Sequence, residues 1–281
     1  MRDLLKAVTA THGHFFRKYP LGSISILMYH RITGDLPVEL DLPFEIFRRQ
    51  IAWLADSGSI IPYHEAVDRL LTGKKSGQHA FAITFDDAYE DFYTHAWPVL
   101  KEYGLPATLF VPTRFIDEPI HLPLSRKVSG AERKMRPMTW DQIREVATDP
   151  LILIGSHTHN HPDLVNLSDP EIAQEMLDAA DRFKTELGFV PADFAYPRGL
   201  WDSRVQKVVS AYCRTAAVVE GEVATPENTA RYAIPRVPIR RSDGERWFES
   251  RIKGKLIGEE KIIKFIKQIG GFVEDHLIRK Y

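Results

Sequence analysis

The chain has 281 residues, with 37 lysines and arginines against 38 aspartates and glutamates, a formal charge of −1 with histidines neutral. That balance excludes a strongly basic nucleic-acid binder, and 44% hydrophobic with 27% charged residues is the make-up of a globular chain long enough for a sizeable core. No apolar stretch approaches the roughly 18 residues needed to cross a bilayer, and the single cysteine, Cys213, leaves any metal to nitrogen and oxygen ligands.

Met1 to Phe16 imitates a secretion signal only superficially. Lys6, His12, Gly13 and His14 interrupt its apolar part and no small-residue cleavage pattern follows, so a short amphipathic helix within 1–22 and a cytoplasmic location are expected. Strands follow at Ser23–Tyr29, Ser59–Pro62, Ala80–Phe85, Ala107–Val111, Leu151–Gly155, Asp193–Tyr196, Arg214–Val219 and Tyr232–Val237, where β-branched apolar runs occur. Between them lie helix-period segments. Phe44, Phe47, Ile51 and Leu54 recur at helical spacing before Gly58, and further helices are expected at His64–Thr72, Tyr89–Tyr103, Trp140–Ala147, Asp169–Leu187 and Ser203–Tyr212. The helix after Leu167 starts with Ser168 as cap, Pro170 in its first turn and Glu171 completing a capping box.

Seven or eight strands alternating with helices favour a closed α/β barrel, a distorted (β/α)7-8 barrel over 23–240, rather than an open doubly wound sheet. No glycine-rich phosphate loop follows any strand. A long connection between Val111 and Trp140, with Pro119, Pro123 and Ser129-Gly130, is expected to wall the substrate groove. The remainder, 241–281, is expected to be a helical extension. In Glu259 to Ile278 a broad apolar face carries Ile262, Ile263, Phe265, Ile266, Ile269, Phe272 and Val273, with Lys261, Lys264 and Lys267 nearby. Packing on the barrel is its first reading and a peripheral membrane contact its second.

Four chemistry-bearing segments fall at the C-terminal ends of strands, where barrel enzymes assemble their sites. Thr84-Phe85-Asp86-Asp87 ends a strand with two carboxylates, and alternation along extended chain lets one hold a cation while the other moves a proton. Helix capping is the plainer explanation of such a pair. Ser156-His157-Thr158-His159-Asn160-His161-Pro162-Asp163-Leu164 places His157 and His161 four apart, able to share one metal if the segment makes a helical turn, with His159 turned away. Two histidines and an aspartate leave a coordination position open, the pattern of a catalytic metal site. Phe194-Ala195-Tyr196-Pro197-Arg198-Gly199 and Leu27-Met28-Tyr29-His30-Arg31 complete the set, which points to metal-assisted hydrolysis. Tyr196 and Trp201 are candidates for stacking on a sugar ring, although core packing is the commoner use of such residues.

These segments, with Leu105-Pro106-Ala107-Thr108, Met138-Thr139-Trp140 and Ile234-Pro235-Arg236-Val237, resemble the polysaccharide deacetylases of carbohydrate esterase family four over about Ile24 to Ile239. The resemblance implies a divalent metal, usually Zn2+, held by Asp87, His157 and His161, and a general base at Asp86. The family's acid histidine normally lies in a late motif that is missing after Val237. In the branch resembling poly-N-acetylglucosamine deacetylases that motif moves to the N-terminus, which assigns the acid role to His30. Ala88 stands where the family has glycine, Ala195 where many members have the arginine that orients the base, and Arg198 where tyrosine is common. Arg236 is then the candidate to orient Asp86, and the Arg198 main-chain N–H remains a candidate for the oxyanion.

The implied activity is removal of N-acetyl groups from an N-acetylglucosamine-type exopolysaccharide or its lipid-linked precursor. An allantoinase-like amidohydrolase and a catalytically inactive carbohydrate-binding relative are the alternatives. No nucleic-acid partner is expected, and oligomeric state is not legible in the sequence.

Overall fold

The computed structural model describes residues 2–12, 19, 22–73, 79–118, 135–259 and 261–262. In chain order come α1 (Arg2–His12), β1 (Ile24–Tyr29), α2 (Phe44–Ser57), α3 (Tyr63–Leu71), β2 (Ala80–Asp86), a π-helical turn (Phe92–Ala96) running into α4 (Trp97–Tyr103), and β3 (Ala107–Val111). Then follow α5 (Thr113–Asp117), α6 (Trp140–Ala147), β4 (Ile152–Ser156), α7 (Asp169–Leu187), β5 (Asp193–Ala195), α8 (Ser203–Val209), β6 (Thr215–Val219), β7 (Ile234–Pro238) and α9 (Phe248–Ile252). Among the described residues seven strands, all parallel, close into a barrel in sequence order, with β1 pairing β7 through Leu27–Val237 and Met28–Pro238. The barrel is irregular at β4 and β5, which meet through the single pair Ser156–Phe194.

Local sequence accounts for most element boundaries. Phe47, Ile51 and Leu54 of α2 are fully buried against the barrel, each contributing about 1.5–3 kcal/mol by leaving water. Gly58 ends α2 in the left-handed conformation (φ 67), which costs glycine nothing. Capping boxes start α6 at Thr139–Gln142 and α7 at Ser168–Glu171.

The eighth expected strand, Ser59–Pro62, is not one. Its neighbour explains it: β3 joins β2 only from Ile83 onward, so the edge of Phe81 is open, and the Ser59 carbonyl and Ile61 N–H fill it with hydrogen bonds of 2.9 Å. Pro62 then ends the pairing, leaving an isolated bridge at Ile60. The expected helix Tyr89–Tyr103 contains the π-helical turn, a departure that residue periodicity does not reveal. Part of the long connection forms α5, and 119–134 lie outside the described residues. The same holds for most of the expected Glu259–Ile278 helix. α1 docks through Lys6, whose buried ammonium sits 2.8 Å from Asp243, itself paired with Arg251 of α9.

Inside the barrel the strands contribute small residues: Ala80, Ala82, Ala195 and Ala217 join Ile24, Ile26 and Ile234. Phe110 of β3 and Tyr63 of α3 fill the space that these alanines leave.

Candidate active site

The carboxylate pair sits where β2 runs out. Asp86 is the last strand residue, while Asp87 and Ala88 take positive φ values of 74° and 51°. The alternation expected of extended chain therefore stops at Asp86, and the left-handed turn sets the direction of Asp87. Ala88 occupies backbone space that glycine fills without penalty; a Cβ there costs about 1 kcal/mol.

His157 and His161 are brought together, but by a loop rather than a helical turn. Thr158 and His161 have φ values of 68° and 56°, and the Thr158 hydroxyl accepts the His161 backbone N–H at 3.0 Å. The two rings lie 4.8 Å apart between centroids. The Ala195 carbonyl can only accept, so His157 Nδ1 donates to it at 2.7 Å, leaving the Nε2 lone pair directed at the site. Nε2 of His157 and of His161 lie 3.6 and 3.4 Å from Asp87 Oδ1.

Three ligand atoms, one each from Asp87, His157 and His161, lie within 4.8 Å of one another, and all three residues are buried. Asp87 Oδ1 and His161 Nδ1 have no hydrogen-bond partner among the described residues. Burial and the charge of Asp86 push the Asp87 carboxyl up to about 8. Burial lowers both histidines, His161 well below the ordinary range, so they are neutral donors. A buried carboxylate that resists ionisation alone, facing two neutral imidazoles, fits a divalent cation that prefers nitrogen and oxygen, zinc among them.

Asp86 is held in the opposite state. Burial would raise its carboxyl, but the Arg236 guanidinium overrides this and holds it at about 2. Arg236, fully buried within β7 rather than at its end, donates Nη1 to Oδ1 at 2.6 Å and Nη2 to Oδ2 at 2.8 Å. Two adjacent carboxylates thus differ through their surroundings: one stays ionised and anchored by Arg236, the other faces two imidazoles with which it could hold a cation.

His30 follows β1 and is half-buried. Burial lowers its imidazole to about 4 against the pull of Asp86, and its Nδ1 has no hydrogen-bond partner among the described residues. Next to it, buried Arg31 faces Asp91 at 3.4 Å and Asp41 at 3.9 Å, tying the end of β1 to neighbouring segments. Arg198 is exposed and has φ 56°, with its Nε donating to Asp163. Tyr196 does not serve as a sugar platform: its ring is fully buried, packs edge-on to Phe194 and stacks on Trp201, and its hydroxyl donates to the Tyr232 carbonyl at 3.2 Å. The strand end turns Tyr196 toward α8 instead of the site. Trp201 is partly buried in the same cluster. His159 lies to the side, bonded to the Thr113 hydroxyl at 2.7 Å.

Sequence reasoning missed Glu175 of α7. Its carboxylate accepts the backbone N–H groups of His159 and Asn160 and the Asn160 side chain, pinning the histidine loop. Nothing local marks it, because the contact depends on how α7 packs.

A family model described as polysaccharide deacetylase matches residues 73–216. The Bacillus subtilis protein YxkH is 30% identical over 77% of this chain and 71% of its own length. The poly-beta-1,6-N-acetyl-D-glucosamine N-deacetylase of Escherichia coli K12 is 34% identical over 50% of this chain, which covers 21% of that protein. Its namesake in Staphylococcus aureus is 28% identical over 69% of this chain and 66% of its own length. The fold is shared with IcaB from Ammonifex degensii (TM-score 0.69, 22% identity, 83% of this chain and 97% of that one) and with Streptococcus pyogenes deacetylase PplD (TM-score 0.68, 23% identity, 83% and 99%).

Proposed function

The chain belongs to the polysaccharide deacetylase family, and on that premise we propose that it is a divalent-metal-dependent hydrolase removing N-acetyl groups from an N-acetylglucosamine-type polysaccharide. The observation that carries this reading is the buried Asp87–His157–His161 cluster beside a second carboxylate, Asp86, kept ionised by Arg236. The relatives named for poly-beta-1,6-N-acetyl-D-glucosamine support the choice of sugar.

An acetamide has a weakly electrophilic carbonyl and a poor leaving group. Asp87, His157 and His161 would hold a cation, which would supply Lewis-acid polarisation of the carbonyl and acidify the attacking water. Asp86 accepts the proton of the attacking water at a carboxylate oxygen; its pairing with Arg236 keeps that oxygen aimed and unprotonated. His30 delivers a proton to the departing amine nitrogen. It is neutral at rest, so the proton it delivers is the one Asp86 has taken from the water, which leaves Asp86 ionised for the next turnover. The main-chain N–H of Arg198 is the proposed donor to the developing oxyanion.

The test is acetate release from β-1,6-linked N-acetylglucosamine oligomers, acetylxylan and lipid-linked repeats, beside ring opening of allantoin to allantoate, with metal content measured in parallel. Turnover of the N-acetylated sugars by metal-loaded protein is expected. Turnover of allantoin alone would move the reading to a small-molecule amidohydrolase, and a metal-free inert protein to a binding relative.

A further inference from the structure

Arg236 on β7 reaches past β1 to Asp86 on β2, and something must hold its guanidinium in register. Its paired bonds to Asp86 and a 3.3 Å contact from Nη1 to the Thr84 hydroxyl fix one edge. The guanidinium carbon lies over Phe110, 5.3 Å from its ring centroid. In the sheet Phe110 sits between Asp86 on β2 and Gly155 on β4, at the same level.

The ring occupies the place of a missing side chain. A Cβ on Gly155 would lie 2.3 Å from Phe110 Cδ1 and 2.4 Å from Cε1. Glycine is therefore required there by the ring and not by a turn. From the opposite end of the barrel Tyr63, the first residue of α3, meets Phe110 edge to face at 5.7 Å and 89°. Both aromatic residues are fully buried.

We propose that Phe110 is a positioning residue for the deacetylation: seated against Gly155 and braced by Tyr63, its ring is the floor that holds Arg236 in two-point contact with Asp86. This rests on the role of Asp86 proposed above. A leucine at 110 keeps apolar bulk but offers no flat π face, so the guanidinium can rotate about its Nε–Cζ bond and Asp86 loses its fixed aim. Misplacing a base in this way lowers kcat by roughly ten- to a hundredfold with KM little changed.

Two measurements test it. In the first, the Nη protons of Arg236 are followed by NMR in the intact protein. Distinct, slowly exchanging signals are expected in the wild type, merging in Phe110→Leu. Signals that stay resolved in Phe110→Leu overturn the proposal, whatever the substrate proves to be. In the second, kcat for acetate release is compared for Phe110→Leu, Arg236→Ala and the double variant. If Phe110 acts through Arg236, adding Phe110→Leu to Arg236→Ala changes kcat less than twofold, whereas a general packing defect lowers it by the full single-variant factor. Should Phe110→Leu fail to fold, Tyr63→Leu, which removes only the brace, is expected to loosen the same signals, and its failure to do so counts against the proposal. Wild-type protein that releases no acetate while its Arg236 signals behave as expected refutes the proposed function and leaves the positioning intact.

Discussion

Arg236→Ala removes the guanidinium from a fully buried pair and leaves the Asp86 carboxylate alone. In the intact protein the carboxyl falls from 3.8 to about 2 even though burial acts the other way. At about 1.4 kcal/mol per pH unit that fall is worth about 2 kcal/mol, and the guanidinium also offsets the burial of the charge. Breaking one side of such a pair costs about 3–5 kcal/mol, which is the expected loss at pH 7 in urea unfolding of the variant. The sign with pH follows from linkage. A carboxyl whose folded pKa lies below its unfolded value stabilises the protein above the unfolded pKa and loses that contribution as pH falls through the folded one. The gap between wild type and variant should therefore be widest near neutrality and narrow below about pH 4. Burial unopposed then raises the carboxyl, so the acid limb of kcat/KM moves toward neutral pH. Arg236→Lys, with charge but no fork, should fall between. An Arg236→Ala enzyme with an unmoved acid limb and urea stability within about 1 kcal/mol of wild type would refute the dependence of Asp86 on Arg236.

Asp86→Asn should bind metal as wild type does but lose turnover, whereas His157→Ala should lose both; metal analysis of the purified variants separates them, and a metal-free Asp86→Asn protein would sink the division of roles. Stripping the metal should destabilise the protein more as pH rises from about 5 to 8, because the Asp87 carboxyl, raised to about 8 by burial and Asp86, penalises the metal-free fold increasingly as it is forced to ionise. A chelator-induced fall in Tm that is the same at both pH values would contradict that. Gly155→Ala should cost about 1–3 kcal/mol through the clash with Phe110, measured by urea unfolding; a neutral effect would mean the ring has room to move. Burial pushes the Cys213 thiol up to about 12, so it should resist alkylation at pH 8 until the chain unfolds, and rapid labelling of the native protein would contradict this.

Much of this protein is written locally. Apolar runs with β-branched residues determined seven strands, Gly58 the end of α2, and Ser168 with Glu171 the start of α7, because turn chemistry and capping act within a few residues. The strand-end placement of Asp86, Asp87, His157, His161 and His30 was legible for the same reason. What tertiary structure alone decided concerns partners far apart in the chain. Which aspartate is ionised depends on Arg236, 150 residues away, and on burial that no local pattern encodes. The pairing of His157 with His161 rests on left-handed backbone at Thr158 and His161, held by Glu175 from another helix, not on the helical period their spacing suggests. Tyr196, a candidate for sugar stacking with core packing as the commoner use, is core, and Phe110, in a strand read only as an apolar run, lies beneath the guanidinium carbon of Arg236. An apolar side chain has the same sequence signature in both places, and only the closure of the barrel sets what its face meets.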